Sequence, residues 1–392
     1  MPAPADLDTN AASIELLSKL VAFDTTSRLS NLALISFVED YLARLGVRST
    51  RVMSEDGTKA NLYATLGPAC EGGVVLSGHS DVVPVDGQDW SSDPFRLVRR
   101  DDRLYGRGTT DMKGFIACAL AAAPMFAAPG RLQRPVHIAL SYDEELGCFG
   151  APAMIDHMAR SIPRPSVVIV GEPTEMTVVG SHKGGAFYEV QVQGQAAHSS
   201  LPQFGLSANA MAVRLMQCLL DIAHDQEINA DPASLFAPAF STISIGKING
   251  GTANNILAQE CNFTFDIRLL PSHDRQAILQ PFFAEMVTAD AAARQRFPHA
   301  GITCKLCASV PALAFETQAP AAAMARLLAD GDGQQRVVAY ATEGGQFQEA
   351  GFSTVVCGPG SMQQGHQPDE FIAVDQMRRC TTFMSRLAEH LS

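Results

Sequence analysis

The chain carries no cluster of lysines and arginines, no apolar stretch of 18 residues, no internal repeat and no low-complexity linker. Each absence removes a class of protein. Basic residues number 29 against 41 acidic ones, and without a basic patch no nucleic-acid partner is expected. Without a long apolar run, nothing is expected to span or sit in a membrane. The opening residues Met1-Pro-Ala-Pro-Ala-Asp6 lack a positive region followed by an apolar stretch, so no secretory leader is expected. The nine cysteines are odd in number and scattered, which fits a reducing cytoplasm better than a disulfide framework. The one CxxC, Cys304 and Cys307, lies in a strand-like run, where side chains three apart face opposite ways and make no metal or redox pair. No Gly-x-Ser-x-Gly elbow occurs, which argues against a serine nucleophile.

What is present is a soluble composition, 46% apolar and 18% charged, which argues against disorder. A length of 392 residues suggests two domains. Two amphipathic helices are expected at about Ala11–Ala22 and Asn31–Leu45. Strands are expected at Asn61–Leu66, Val74–Leu76, Val136–Leu140 and Val167–Val170, with a helix over Met112–Ala123. Alternating strands and helices predict an α/β sheet flanked by helices on both faces. From residue 181 the order changes to strand Gly184–Val192, helix Ser207–Ala223, strands Ser241–Ile248 and Cys261–Leu269, helix Arg275–Ala293 and strand Ile302–Ser309. That βαββαβ order is the order of a ferredoxin-like sandwich. The first pattern then resumes with a helix at Ala319–Leu328, a strand at Ser353–Cys357 and a helix at Val374–Leu391. The expected division is 1–180 and 312–392 for one domain, with 181–311 inserted into it.

Several of the apolar strands run into metal-binding residue types. Val74–Leu76 leads to His79-Ser-Asp81, and Val136–Leu140 leads to Asp143-Glu144-Glu145. Val167–Val170 leads to Gly171-Glu172, and Ser353–Cys357 leads to His366. Ligands collect beyond the carboxyl ends of strands in open α/β sheets. Asp111, just before the expected helix, has two oxygens and is placed to bridge two cations. Two histidines and three carboxylates, with Asp111 shared, give three protein ligands to each of two metals and leave room for water. Imidazole with carboxylate suits zinc. Adjacent Glu144 and Glu145 repel unless a cation is near, so one is expected to ligate and the other to act as a base. Asp81 is placed either to hold the second ring nitrogen of His79 or to cap a turn.

The segments Gly78-His-Ser-Asp81, Gly106-Arg-Gly-Thr-Thr-Asp-Met-Lys-Gly114, Asp143-Glu-Glu-Leu-Gly147 and Gly171-Glu-Pro173 together resemble one family over nearly the whole chain. It is the zinc metallopeptidase family that includes acetylornithine deacetylase, succinyl-diaminopimelate desuccinylase, aminoacylases and carboxypeptidase G. The run Gly358–Phe371, with Ser181-His-Lys-Gly184 and Gln193–Ser200, looks most like the acetylornithine deacetylase branch. The resemblance implies that His79, Asp111 and Glu172 hold one zinc, and that Asp111, Glu145 and His366 hold the other, with cobalt able to substitute. It implies Glu144 as general base and Asp81 as the residue orienting His79. It further implies that the inserted domain is a dimerising lid, whose His198 reaches the partner subunit's site. Asn254, Asn255 and Arg268 are expected to meet substrate, Arg268 through a carboxylate unless Asp266 or solvent holds it. The implied reaction is hydrolysis of an N-acyl amino acid, most simply the removal of acetyl from ornithine. A desuccinylase or carboxypeptidase activity, or acetylcitrulline as substrate, is the alternative.

Overall fold

The computed structural model describes residues 4–329 and 331–392. In chain order the elements are helices α1 (Pro4–Val21) and α2 (Leu32–Arg44), then strands β1 (Ser49–Met53), β2 (Ala60–Leu66), β3 (Val74–His79), β4 (Val98–Arg100) and β5 (Arg103–Tyr105). Helix α3 (Gly114–Phe126), strand β6 (Val136–Ser141), helix α4 (Ala151–Ser161) and strands β7 (Val167–Pro173), β8 (Ser181–His182) and β9 (Gly184–Gln193) follow. The rest is α5 (Ala208–Ile228), β10 (Thr242–Gly250), β11 (Glu260–Leu269), α6 (Arg275–Arg296), β12 (Gly301–Val310), α7 (Pro320–Leu328), β13 (Val337–Val338), α8 (Gly344–Glu349), β14 (Thr354–Gly358), β15 (Phe371–Ala373) and α9 (Val374–His390). Two units result: one of Met1–Ser181, Leu313–Arg336 and Thr342–Ser392, the other of His182–Ala312 and Val337–Ala341.

The first unit is built on a mixed six-stranded sheet in the order β1-β2-β6-β3-β7-β14. Strands β6, β3, β7 and β14 are parallel, and β1 and β2 close one edge antiparallel. The four parallel strands are buried along their whole length, which is why they read as continuous apolar runs rather than alternating ones. Helix α3 is apolar all round because it lies between the sheet and helices α1 and α9. On the sheet itself, Leu62, Leu76, Ile138, Ile169 and Val355 face that helical layer. Helices α4 and α8 pack against each other and against sheet strands. A small antiparallel sheet, β15-β5-β4, is separate.

Parallel strands share a direction, so their carboxyl ends share one edge. His79 is in register with Ser141, and Gly358 with Pro173. The residues that follow each strand are thereby set side by side. This close approach depends on glycine at the end of β7. A Cβ on Gly171 would stand 2.0 Å from the buried ring of Phe115.

One expected helix starts late. The segment Thr109–Lys113 is an irregular turn in which Asp111 (φ −125°, ψ 90°) and Met112 are not helical, and α3 begins at Gly114. The amides of Gly108, Thr110 and Asp111 are taken by the Glu370 carboxylate instead of helical carbonyls. Asp111 therefore owes its place to that carboxylate and not to a helix N-terminus. Strands β1, β4, β5 and β15 and helices α4 and α8 were not expected from the sequence pattern.

The second unit has a four-stranded antiparallel sheet in the order β10-β11-β9-β12, with α5 and α6 on it. Alternate residues of β9 and β11 point into its core, where Tyr188 stacks on Phe265 with ring centroids 4.8 Å apart. Ser207 caps α5 and Asp274 caps α6 through their side chains. All nine cysteines are free; Cys304 packs partly into this core and Cys307 is exposed. Among the described residues no helix is long and apolar enough to cross a membrane.

Gly171→Ala is expected to destabilise the metal-free protein by about 1–3 kcal/mol, because a packed core resists an added methyl group. Denaturant unfolding measures this, and an unchanged midpoint would refute the close approach of β7 to Phe115.

Candidate metal centre

Five side chains from distant parts of the first unit meet at the carboxyl edge of the sheet. His79 Nε2, at the end of β3, lies 3.0 Å from Asp111 Oδ1 and 3.7 Å from Glu172 Oε1. His366 Nε2 lies 3.2 Å from Asp111 Oδ2 and 3.0 Å from Glu145 Oε2. Asp111 thus faces a different imidazole with each of its oxygens. Glu144 is also at the cluster, with a carboxylate oxygen within 4.8 Å of donor atoms of His79 and Glu172. His79, Asp111 and Glu172 are buried, and His366 is half exposed.

The surrounding bonds hold these groups in place. His79 Nδ1 donates to the main-chain oxygen of Asp81 at 2.9 Å, which leaves Nε2 as the ligating nitrogen. The Asp81 carboxylate is farther away, at 3.6 Å, so the orienting atom is its carbonyl and not its side chain. That carboxylate instead accepts from Ser27 Oγ at 2.7 Å and from the amides of Glu144 and Glu145 at 3.2 and 3.4 Å. It fixes the turn that carries the glutamate pair. Asp143, in the left-handed region at φ 55°, is tied down by the Lys59 ammonium. The thiol of Cys148 donates to Glu144 Oε1 at 3.2 Å. Beneath the site, buried Glu343 accepts from Ser77 Oγ at 2.5 Å and Ser141 Oγ at 2.7 Å, linking the ends of β3 and β6. Neither Glu343 nor Cys148 was singled out by sequence reasoning. Their signal was faint: an acid before two glycines, and a cysteine one turn after the glutamate pair.

The electrostatics show a cluster short of positive charge. Burial, reinforced by the neighbouring carboxylates, pushes Glu144, Glu145 and Glu172 above the usual carboxylate range. Burial opposes protonation of His79, but Glu172 and Asp111 outweigh it and raise the imidazole. Hydrogen bonds to Asp111 and Glu145 raise His366 to about 10. Asp111 is held low despite burial because both imidazoles face it. Meanwhile Glu145 Oε1 and both oxygens of Glu172 are buried with no hydrogen-bond donor. Such oxygens are costly unless a cation meets them. Ligand atoms about 2.0–2.2 Å from one tetrahedral zinc stand roughly 3.3–3.6 Å apart. The separations of 3.0–3.7 Å around Asp111 and His79 match that spacing to within a few tenths of an ångström. The donor set of imidazole and carboxylate therefore fits two divalent metal ions sharing Asp111.

The other expected residues belong to the second unit. There His198 is exposed, its Nδ1 2.7 Å from Ser200 Oγ, and its strand segment bridges to Ile256. The Ser199 amide donates to the Asn255 carbonyl at 2.8 Å, so His198 lies beside the loop of Asn254 and Asn255, which is itself exposed. Arg268 Nε donates to Asp266 at 2.9 Å, the pairing left open by the sequence, and its side chain is 43% exposed.

A sheet with ligands massed at its carboxyl edge, a carboxylate shared between two imidazoles and a further glutamate beside them define a metal-dependent hydrolase. The model of peptidase family M20/M25/M40 matches residues 75–390, and the chain belongs to that family. It is 34% identical to an acetylornithine deacetylase of Myxococcus xanthus, over 98% of both chains. Its fold is similar to that of an M20 family metallo-carboxypeptidase of Sulfolobus solfataricus, with a TM-score of 0.77, 16% identity and coverage of 96% of this chain and 98% of that one. It is also similar to the Bacillus subtilis YXEP protein, described as a dinuclear metal-binding peptidase, with a TM-score of 0.67, 14% identity and 98% of both chains covered.

A shared ligand makes a sharp prediction. Zinc at a thousandfold excess over its Kd is expected to stabilise the wild type by about 4 kcal/mol. Asp111→Asn is expected to lose most of that gain, read as the zinc-induced rise in Tm. An equal rise in the variant would remove Asp111 from the centre.

Proposed function

We propose that the enzyme hydrolyses the amide of an N-acetylated amino acid, N2-acetyl-L-ornithine to L-ornithine and acetate, as a step of arginine biosynthesis in the cytoplasm. The carrying observation is Asp111 set between His79 and His366 with Glu144 alongside. The full-length likeness to an acetylornithine deacetylase supports the substrate.

In this reading His79, Asp111 and Glu172 hold one zinc, and Asp111, Glu145 and His366 hold the other, with cobalt able to replace them. Bound there, the two cations would supply Lewis acidity towards the amide carbonyl and would acidify a water. Glu144 is the base: its Oε1 has only the weak Cys148 thiol as donor, whereas Glu145 and Glu172 keep bare oxygens for ligation. Glu144 takes the proton of the attacking water and returns it to the leaving nitrogen. Glu144 stays beside the amine because the Asp81 carboxylate holds its turn. His198 of the second unit donates to the developing oxyanion in the partner subunit of a homodimer formed through that unit. Arg268, its Nε fixed by Asp266, has a terminal fork suited to an α-carboxylate, and the amides of Asn254 and Asn255 complete the contact.

Glu144→Gln is expected to lower kcat by about 10²–10⁴-fold, the usual worth of a general base, while elemental analysis still finds two metal ions. Near-normal turnover in that variant would take the base role from Glu144. A panel of acetylornithine, acetylcitrulline, succinyl-diaminopimelate and dipeptides tests the substrate. Acetylornithine is expected to lead in kcat/KM by about tenfold or more, as discrimination by a side-chain pocket allows. A larger kcat/KM for a succinylated compound or a dipeptide would reassign the enzyme to the desuccinylase or carboxypeptidase activity.

A further inference from the structure

Behind the metal centre lies a buried ion pair that the catalytic scheme does not use. Arg107 and Glu370 are each 1% exposed, and Arg107 Nη1 meets Glu370 Oε2 at 2.8 Å. The carboxylate is fully engaged. Oε2 also accepts from the amide of Gly108 at 3.0 Å, and Oε1 accepts from the amides of Thr110 and Asp111 at 2.9 and 3.2 Å. Three amides of one short segment thus converge on one carboxylate, the concave arrangement that backbone N–H groups make around an anion. Without an acceptor here, these buried amides would be orphaned, since the segment is not helical.

Arg107 extends the network the other way. Its Nη1 also donates to the Gln367 carbonyl at 3.3 Å, and its Nη2 donates to the side-chain oxygen of Gln88. Gln88 in turn donates from Nε2 to the carbonyl of His366 at 2.8 Å. Trp90 covers the guanidinium, 5.0 Å from its ring centre, and donates to the same Gln88 oxygen at 3.1 Å. His366 has φ 62°, in the left-handed region that is uncommon outside glycine. One continuous chain of bonds therefore runs from the Asp111 amide, through Glu370, Arg107 and Gln88, to the His366 carbonyl.

We propose that the Arg107–Glu370 pair, with Gln88, is the positioning element that sets Asp111 and His366 at ligating distance from each other. The inference rests on the reading of these two residues as ligands of one cation. The pairing also answers an electrostatic difficulty. The amides of the Asp111 turn need an acceptor, yet a lone carboxylate would add charge beside Asp111, Glu144, Glu145 and Glu172. The guanidinium cancels that charge while its two terminal nitrogens reach four acceptors, Glu370, Gln88 and the carbonyls of Gln367 and Pro84, one more than the three N–H groups of a lysine could serve.

Cobalt(II) titration of the metal-depleted protein, followed by visible absorption, tests this. The wild type is expected to bind two ions. Glu370→Gln places an amide NH₂ against the donors of Arg107 and Gly108, and is expected to weaken at least one binding step by about tenfold or more, the range for residues that orient ligands, with an altered d–d spectrum. Gln88→Leu, a change outside the ion pair, is expected to weaken the same step by less and to alter the same bands. Arg107→Lys, which keeps the charge but not the fork, is expected to resemble Glu370→Gln. If Glu370→Gln does not fold, judged by circular dichroism, Gln88→Leu and Arg107→Lys decide the matter. Wild-type affinity and spectrum in the folded variants would overturn the proposal. A wild type that takes up no cobalt would overturn the metal reading and this inference with it.

Discussion

Four carboxylates, two of them buried and two half-buried, crowd around His79 and repel, and the architecture around them is arranged to tolerate that repulsion. Asp111, Glu144, Glu145 and Glu172 have only two imidazoles among them, and burial together with mutual repulsion raises the three glutamates. A protein does not keep such a group for stability, since an uncompensated buried charge costs several kcal/mol. Two divalent cations, bound as proposed, would neutralise the four charges outright. The stability of the site and its chemistry would then share one cause, the binding of metal, to which folding would be coupled.

The scaffold serves that need with rigid parts. His79 and Glu172 sit at the ends of parallel strands and Glu145 four residues past one, where the direction of the sheet and its register leave little freedom. Loops supply the rest and are fixed by side chains that touch no substrate. Asp81 holds the turn of Glu144 and Glu145, Glu343 joins Ser77 to Ser141, and Glu370 gathers the amides before Asp111. Acidic residues thus do two kinds of work within one small volume. Some present bare oxygens, and others are saturated by donors. The number of donors around each separates the two kinds.

Much of this was legible in the sequence. Long apolar runs ending in His79, Glu172 or the Glu144–Glu145 pair are readable because both faces of the strands are covered, so hydrophobicity marks the strand and its loss marks the edge. The six main elements of the second unit were visible for the opposite reason: one face of its sheet is solvated, and the alternation shows. The start of α3 was misplaced because the amides of Gly108, Thr110 and Asp111 find a carboxylate more than 250 positions away, which no local pattern announces. Asp81 was read as a partner of His79 or as a turn cap, and the bond from Nδ1 goes to its main-chain oxygen, which leaves no trace in side-chain chemistry. Short edge strands such as Ser49–Met53, half-buried throughout most of their length, carry too weak a pattern to stand out. Glu343, Glu370 and Arg107 are charged residues with fully buried side chains, and composition offers no means of telling them from surface charges.

The interruption of the first unit by the second has a consequence for synthesis. Of the five positions proposed to bind metal, four precede the insertion, and His366 follows it. At elongation rates of about 5–20 residues per second, some 10–40 s pass on the ribosome between Glu172 and His366. Throughout that interval the nascent chain lacks His366 and also Glu370, the acceptor for the amides of Gly108, Thr110 and Asp111. Most of the inserted unit has by then been translated as one contiguous stretch, so its folding need not wait. Metal capture in the complete geometry is therefore an event of the last stage of translation or of the period after release.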